Sequence, residues 1–442
     1  MTVLIKILQF VMSLSILVII HEFGHFILAK LFKTRVEKFY LFFDPWFSVF
    51  KLKRGETEYG IGWLPLGGYV KISGMIDESM DREQMKQPPQ PHEFRSKTSW
   101  QRLLIMTGGV LFNFISAILI YVMVLLAWGE TYLPTANVKY GIVTDSVGYS
   151  IGLRNGDKVL TVDNIYIENF LQIIPDIVLN GRKTIQVDRN GQIVNIEIPK
   201  DYVNKVLKDK GQIDARIPFG PFMIGGFQKT SPARSAGVQS GDELVGIDSI
   251  KFIYYDEFQS YLSQNRNRTI VLNLKRKAED LNLSVKPTEA GMIGIVRPAV
   301  DQVFELKTIK YGFFESIPAG INKGFKTIAD YLKQFKLLFA KDSKAYESLG
   351  GFITIGKIFP GVWDWQAFWN LTAFLSIILA VMNILPIPAL DGGHVMFLLF
   401  EVVTGRKPSD KFLEYAQISG MVILISLLVF ANGNDILRLF RK

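Results

Sequence analysis

His21-Glu22-Phe23-Gly24-His25 decides how the rest of the chain is read. Two histidines four apart on a helix lie on one side, one turn above the other, which is the spacing of two ligands to a single zinc ion. A glutamate directly after the first can then reach a zinc-bound water as general base. The setting is unusual. Leu4 to Ile20 is apolar apart from Lys6 and a few small polar residues, and Phe26 to Phe32 continues the pattern with only Lys30. The pentapeptide therefore sits inside a helix long enough to span a bilayer. A lone histidine on an apolar face is more often a satisfied core residue than a ligand. Here the chain has only four histidines, and two fall at the zinc spacing with the glutamate in place. Ionisable groups inside a membrane span are costly and mark function, so the metal reading prevails.

Composition agrees with that setting. Of 442 residues, 49% are hydrophobic, which points to membrane spans mixed with soluble parts rather than one globular core. The net charge of +9 comes from Lys and Arg spread over loops and span ends, with no long basic run interleaved with stacking aromatics. A lipid bilayer, and no nucleic acid, is the expected partner. There is no cysteine, which excludes a disulfide framework, a thiolate zinc site and a cysteine nucleophile. The N-terminal apolar stretch is too long for a signal peptide and lacks a small-x-small cleavage site, so it reads as a retained span.

Working outward, residues 1–33 hold the first span, and Lys30, Lys33, Arg35 and Lys38 crowd its cytoplasmic exit. Residues 34–99 form a cytoplasmic-side β-loop and a charged surface loop. In it, Phe47 to Leu52 and Thr57 to Trp63 flank a turn at Lys53-Arg54-Gly55-Glu56. Then Gly67, Gly68, Tyr69 and Val70 follow, where paired glycines permit close backbone approach and an edge strand could hold an extended peptide. A purely structural hairpin reads these residues equally well. His92 reads as an exposed histidine. Residues 100–129 form the second span, in which Gly109 and Asn113 share a face. Helix packing accounts for that pair at least as well as a role at the site. Residues 365–391 form the third span, ending Asn383-Ile-Leu-Pro386-Ile-Pro388-Ala-Leu390-Asp391-Gly392-Gly393-His394. Its prolines and glycines break the helix and leave Asp391 at a turn, where a carboxylate could be a third zinc ligand or simply a helix end. Residues 392–415 form a cytoplasmic loop, 416–434 the fourth span and 435–442 the tail. The basic loops then share one face, as the positive-inside rule asks, while Arg438, Arg441 and Lys442 fall on the other.

Between the second and third spans the chain turns soluble in character and repeats itself. Ser150 to Asp163 aligns without gaps to Ser235 to Asp248, with Ser, two Gly and two Asp identical and apolar places staying apolar. The pattern resembles PDZ domains, which implies two PDZ-like modules at 134–220 and 221–305 on the extracytoplasmic side, able to take peptides by strand addition. Residues 306–364 read as an amphipathic surface helix, Phe313 to Ala340, and a connector through Leu349-Gly350-Gly351-Phe352.

Taken together, the chain resembles the site-2 protease family of intramembrane zinc metalloproteases, and within it the bacterial sigma-E regulator branch. His21, Glu22 and His25 match the family's HExxH, and Asn383, Pro386, Pro388, Leu390, Asp391 and Gly392 match its N-x-x-P-x-P-x-L-D-G. The segment Leu66 to Lys71 is similar to its membrane-associated β-loop. The chain has Gly109-Val110-Leu111-Phe112-Asn113 where the family often has G-P-x-x-N, and Gly351-Phe352 where it often has Gly-Pro. The resemblance implies a polytopic α-helical membrane protein of four transmembrane helices, with a membrane-associated β-loop and two tandem extracytoplasmic PDZ-like domains. It implies a Zn2+ endopeptidase, with Asp391 as third ligand, Glu22 as catalytic base and Asn383 holding the substrate. Substrates would be single-pass membrane proteins such as trimmed anti-sigma factors and remnant signal peptides, and the PDZ pair would filter them by size. The enzyme would be a monomer in the bacterial inner membrane, with its active site toward the cytoplasm. A catalytically silent PDZ scaffold predicts loss of a site residue, and a zinc transporter predicts polar residues along several spans. Neither pattern is present.

Overall fold

Long apolar helices dominate one part of the chain and short strands the other. The computed structural model describes residues 2–75, 87–209, 211–296, 300–338 and 350–440. The chain divides into two units, Met1–Gly129, Lys310–Lys336 and Tyr346–Lys442 in the first, and Glu130–Ile309 with Leu337–Ala345 in the second. The charged loop expected at 77–99 is described only from Gln87 onward; Leu349, Arg441 and Lys442 also lie outside the described residues.

In the first unit, α1 (Thr2–Leu31) is followed by strands β1 (Val36–Arg54) and β2 (Thr57–Ile72) and by α2 (Ser99–Trp128). After the second unit come α3 (Phe313–Leu338), α4 (Phe352–Ile358), α5 (Trp365–Ile384), α6 (Asp391–Thr404) and α7 (Asp410–Phe440). Four helices, Thr2–Leu31, Ser99–Trp128, Trp365–Ile384 and Lys411–Arg438, are long and apolar enough to cross a membrane.

Glycine sets how α1 meets α2. A Cβ on Gly24 would lie 2.3 Å from the Gly108 carbonyl oxygen, and one on Gly108 would lie 2.6 Å from that of Gly24. The two backbones are therefore in direct contact, the close approach that small residues permit between membrane helices. α3 runs against α2 by a similar device. Ser316, Gly320 and Gly324 form its buried stripe, with Gly320 against Val122 and Gly324 against Ile118. Along this stripe α3 runs antiparallel to α2, while Phe313, Phe314 and Phe325 stay exposed. α4 is tied to α7 by Asp435, whose carboxylate accepts from the Gly351 and Thr354 backbone amides at 3.0 and 2.9 Å and from the Thr354 hydroxyl.

β1 and β2 pair antiparallel through the turn at Gly55, from Arg54 opposite Thr57 to Ser48 opposite Gly62. β1 then bends, with positive φ at Phe42 and Trp46. Its first half gains partners on both sides: Tyr40 faces Tyr69 on one and Gly60 on the other, Leu41 faces Gly68 and Ile61. Gly68–Ile72 is thereby left as an edge. Inside the bend, Asp44 accepts from the Tyr69 hydroxyl at 2.8 Å and the Ser48 hydroxyl at 3.0 Å. Outside it, Trp46 and Phe47 stack on Trp63.

α5 stops at Ile384, short of the uncharged run's end, because Leu385 must adopt the extended backbone that a following proline requires. Gly392 and Gly393 begin α6 so close to the turn that a Cβ would meet the Leu385 oxygen at 2.1 Å and the Pro388 Cα at 2.6 Å. Ala389 sits at φ 80°. Its amide donates to Gln417 Oε1 on α7 at 3.1 Å, and Gly420 leaves room for the Pro388 carbonyl.

The second unit displays the sequence repeat as matched structure. In one copy, strand Lys158–Val162 pairs with Thr184–Arg189, which pairs with Gln192–Glu197. In the other, Glu243–Ile247 pairs with Ile270–Arg276, which pairs with Glu279–Val285. Each first strand carries a register shift, at Val159/Thr161 and Leu244/Gly246, and ends in two left-handed residues, Asp163-Asn164 and Asp248-Ser249. The repeated aspartates act alike. Asp157 binds the Arg189 guanidinium through both oxygens at 2.8 Å and accepts from the Arg154 amide. Asp242 binds Arg276 through both oxygens at 2.7 Å and accepts from the Gln239 amide. Both arginines also reach a glycine carbonyl, Gly152 and Gly237. Arg216 joins the copies, paired with Asp256, which also accepts from Asn155, and stacked on Tyr254.

Candidate metal centre

The first helix delivers His21 and His25 to one point, and the turn after α5 delivers Asp391 to the same point. His21 Nε2 lies 3.1 Å and His25 Nε2 3.3 Å from Asp391 Oδ2, and the two Nε2 atoms are 3.4 Å apart. Both histidines are buried. Bonds of about 2.0–2.2 Å to a tetrahedral zinc place neighbouring ligand atoms about 3.3–3.6 Å apart, close to this triangle. Protonation supports the same fit. His25 Nδ1 lies 2.9 Å from the Ile105 carbonyl, which only accepts, so Nδ1 carries a proton and Nε2 is the nitrogen left to face a metal. Asp391 Oδ2 is buried between the two imidazoles. Two imidazole nitrogens and a carboxylate oxygen, all able to serve as metal ligands, thus converge at one buried point, an arrangement that a cation would satisfy.

α2 completes the wall behind the histidines. Ile105 supplies the carbonyl just described. Gly109, one turn on, supplies space, since a Cβ there would lie 2.4 Å from His25 Nε2 and 2.5 Å from His21 Cε1. Asn113, another turn on and fully buried, places its amide 3.1 Å from His21 Nδ1. Asn383 approaches from α5, its amide 3.2 Å from His21 Nε2.

In front of the triangle lies a cleft of about 380 Å³. Glu22 lines it beside the histidines, as do Gly68, Tyr69, Val70, Lys71 and Ile72 from the edge of β2. Gly68 must be glycine, because a Cβ would lie 2.6 Å from Val18 and 2.7 Å from the Tyr40 oxygen. Burial and the hydrogen bond to Asp44 hold the Tyr69 phenol above its ordinary range, so it stays a neutral donor. Gly67 lies outside the cleft lining and faces Phe43 instead. His92 is exposed and does not line the cleft. His394 and Gln417 do line the cleft. His394, three residues past Asp391 on α6, was visible in sequence only as one of four histidines. Gln417 gave no signal, since nothing local shows which face of α7 meets the turn.

Membrane-length helices that enclose a His-Glu-x-x-His set, met by a carboxylate from a later turn, define a membrane-embedded metalloprotease. The chain belongs to peptidase family M50, whose model matches residues 9–427. It is 28% identical over 454 residues to the regulator of sigma-E protease RseP of Escherichia coli K12, covering 98% of each chain. It is 28% identical over 448 residues to the regulator of sigma E protease of Haemophilus influenzae, again covering 98% of each. A Neisseria meningitidis protein named as a zinc metalloprotease is 27% identical over 456 residues, 98% of this chain and 99% of the other. The chain is thus a zinc-dependent metalloendopeptidase of the site-2 protease type and a membrane protein.

Proposed function

We propose that this enzyme cuts single-pass membrane proteins within or beside their spans, with His21, His25 and Asp391 as zinc ligands and Glu22 as base. The observation that carries the reading is the convergence of three ligand atoms, all within 4.8 Å of one another, in a cleft that Glu22 and a free strand edge also line. Zinc held there would supply a Lewis acid for the scissile carbonyl and lower the pKa of the attacking water. Glu22 takes that water's proton and passes it to the leaving amine. A transmembrane helix hides its carbonyls in its own hydrogen bonds, so a substrate must unwind before it can be cut. Gly68, Tyr69 and Val70 offer main-chain partners for the unwound strand, Gly67 allows the bend that begins that edge, and Asn383 steadies the reacting carbonyl.

The four long helices act as four spans, with the site toward the cytoplasm and the repeated modules, read as PDZ-like, on the other side. Those modules pass substrates whose outer domains have already been trimmed. Anti-sigma factors and signal-peptide remnants of a bacterial inner membrane fit this description, and the enzyme works as a monomer. The test is cleavage of a trimmed single-pass substrate by purified protein in detergent, wild type against Glu22→Gln, with zinc assayed in both. Glu22→Gln keeps its zinc and loses cleavage, and a chelator abolishes wild-type cleavage until zinc is restored. Cleavage by Glu22→Gln at the wild-type rate would remove Glu22 from the mechanism.

A further inference from the structure

We propose that Asn113 is a positioning residue: its side-chain carbonyl accepts a hydrogen bond from His21 Nδ1–H and so leaves Nε2 to face the metal. The inference rests on the zinc-site reading above and adds a residue to it.

Asn113 is fully buried in the middle of α2, where an unsatisfied amide is costly. Its side chain lies 3.1 Å from His21 Nδ1, and its Oδ1 has no hydrogen-bond partner. The other histidine shows what the site requires. The Ile105 carbonyl accepts a hydrogen bond from His25 Nδ1–H and so leaves Nε2 to face the metal site. His21 points the same nitrogen, Nε2, at Asp391 and at His25. Its Nδ1 must therefore carry the proton and needs an acceptor. A primary amide has nearly the same shape at both ends. Turned by half a rotation, Asn113 gives Nδ1–H its carbonyl oxygen, and the oxygen that lacked a partner gains one.

Asn113 is well held for this task. Its main-chain oxygen accepts from the Ser376 hydroxyl of α5 at 2.7 Å and from Ser116 at 2.9 Å. It also completes a stripe on α2 in which Ile105, Gly109 and Asn113, each four residues apart, provide an acceptor, a space and a second acceptor. Asn383 is no substitute, because it meets His21 at Nε2, the ligating atom. Partners of this kind orient metal-binding imidazoles, and their loss weakens metal affinity about 10- to 100-fold.

The test compares wild type, Asn113→Leu and Asn113→Asp, purified in detergent, by competition for zinc against a chromophoric chelator, with melting curves as a control for folding. Leucine matches the size of asparagine but accepts nothing, and an aspartate carboxylate accepts but cannot donate. Asn113→Leu binds zinc about 10- to 100-fold more weakly, and Asn113→Asp binds it at least as tightly as wild type. A packing role predicts the reverse order, since leucine suits a membrane helix better than a charge. Wild-type affinity in Asn113→Leu, or loss of zinc in Asn113→Asp, overturns the proposal. If the leucine variant does not fold, the aspartate variant decides alone. Failure of the wild type to take up zinc overturns the site reading itself and the proposal with it.

Discussion

Gly109 bears no functional group, and the absence of a side chain is its contribution. An alanine methyl there would press on His25 Nε2 at 2.4 Å and His21 Cε1 at 2.5 Å, both inside any tolerable contact. Such overpacking costs about 1–3 kcal/mol. Carried by the histidines, this is roughly 5- to 150-fold in metal affinity. Gly109→Ala is therefore expected to lower zinc affinity in that range in a chelator competition, with wild-type affinity showing that the histidines can retreat. At this scale the ligand candidates were legible, since His21, Glu22 and His25 declare themselves within five residues, and Asp391 within a proline-glycine turn. Gly109 and Asn113 stood out as a pair, but spacing cannot tell a face that meets histidines from one that meets leucines. The Ile105 carbonyl was invisible, as every residue has one.

Among the elements, the crossing of α1 on α2 governs whether those residues meet at all. Gly24 belongs to the His-Glu-x-x-His pentapeptide yet faces the Gly108 backbone, so the turn of helix that carries the proposed ligands also packs. Gly24→Leu must push the helices apart. The expected result is a loss of about 3 kcal/mol or more, at the upper end for overpacking, read as a lowered melting temperature with zinc affinity reduced alongside. A variant that melts like wild type would show the contact to be slack. The β1–β2 turn was legible from Lys53-Arg54-Gly55-Glu56. The doubling that gives Tyr40 a partner on both sides was not, because it depends on left-handed bends at Phe42 and Trp46, residue types that rarely adopt them. The long amphipathic pattern of α3 likewise told of one apolar face but not that Gly320 and Gly324 would seat it on α2.

The second unit is built on an apolar core of residues from Leu133 to Phe304, and two buried carboxylates, Asp157 and Asp242, brace it from within. Arg276 and the Gln239 amide hold the Asp242 carboxyl below its ordinary value. A group whose folded pKa is depressed lends stability that is complete above its unfolded value, about 3.9, and is lost as pH falls through the folded one. Hydrogen exchange at the Gln239 amide is therefore expected to quicken as pH falls below about 4, beyond the intrinsic trend. In Asp242→Asn it should already be fast at neutral pH, since losing hydrogen bonds to a charged group costs about 1.5–3 kcal/mol. Equal protection in the variant at neutral pH would show that the carboxylate does not hold this turn. The repeat that contains Asp242 was legible in full as sequence. Its arginine partners were not, because Arg189 and Arg276 lie outside the aligned stretch and reach back across a strand.

Those paired clasps also speak of ancestry. Independent origins have no reason to reproduce a strand irregularity, a left-handed pair and an arginine that grips both an aspartate and a glycine carbonyl. Copying does so at once. The aligned aspartates lie 85 residues apart, whereas their arginines lie 87 apart, so the two copies have since come to differ in length between aspartate and arginine. Tandem duplication of one module accounts for this shared framework, with the stretch between framework residues free to drift.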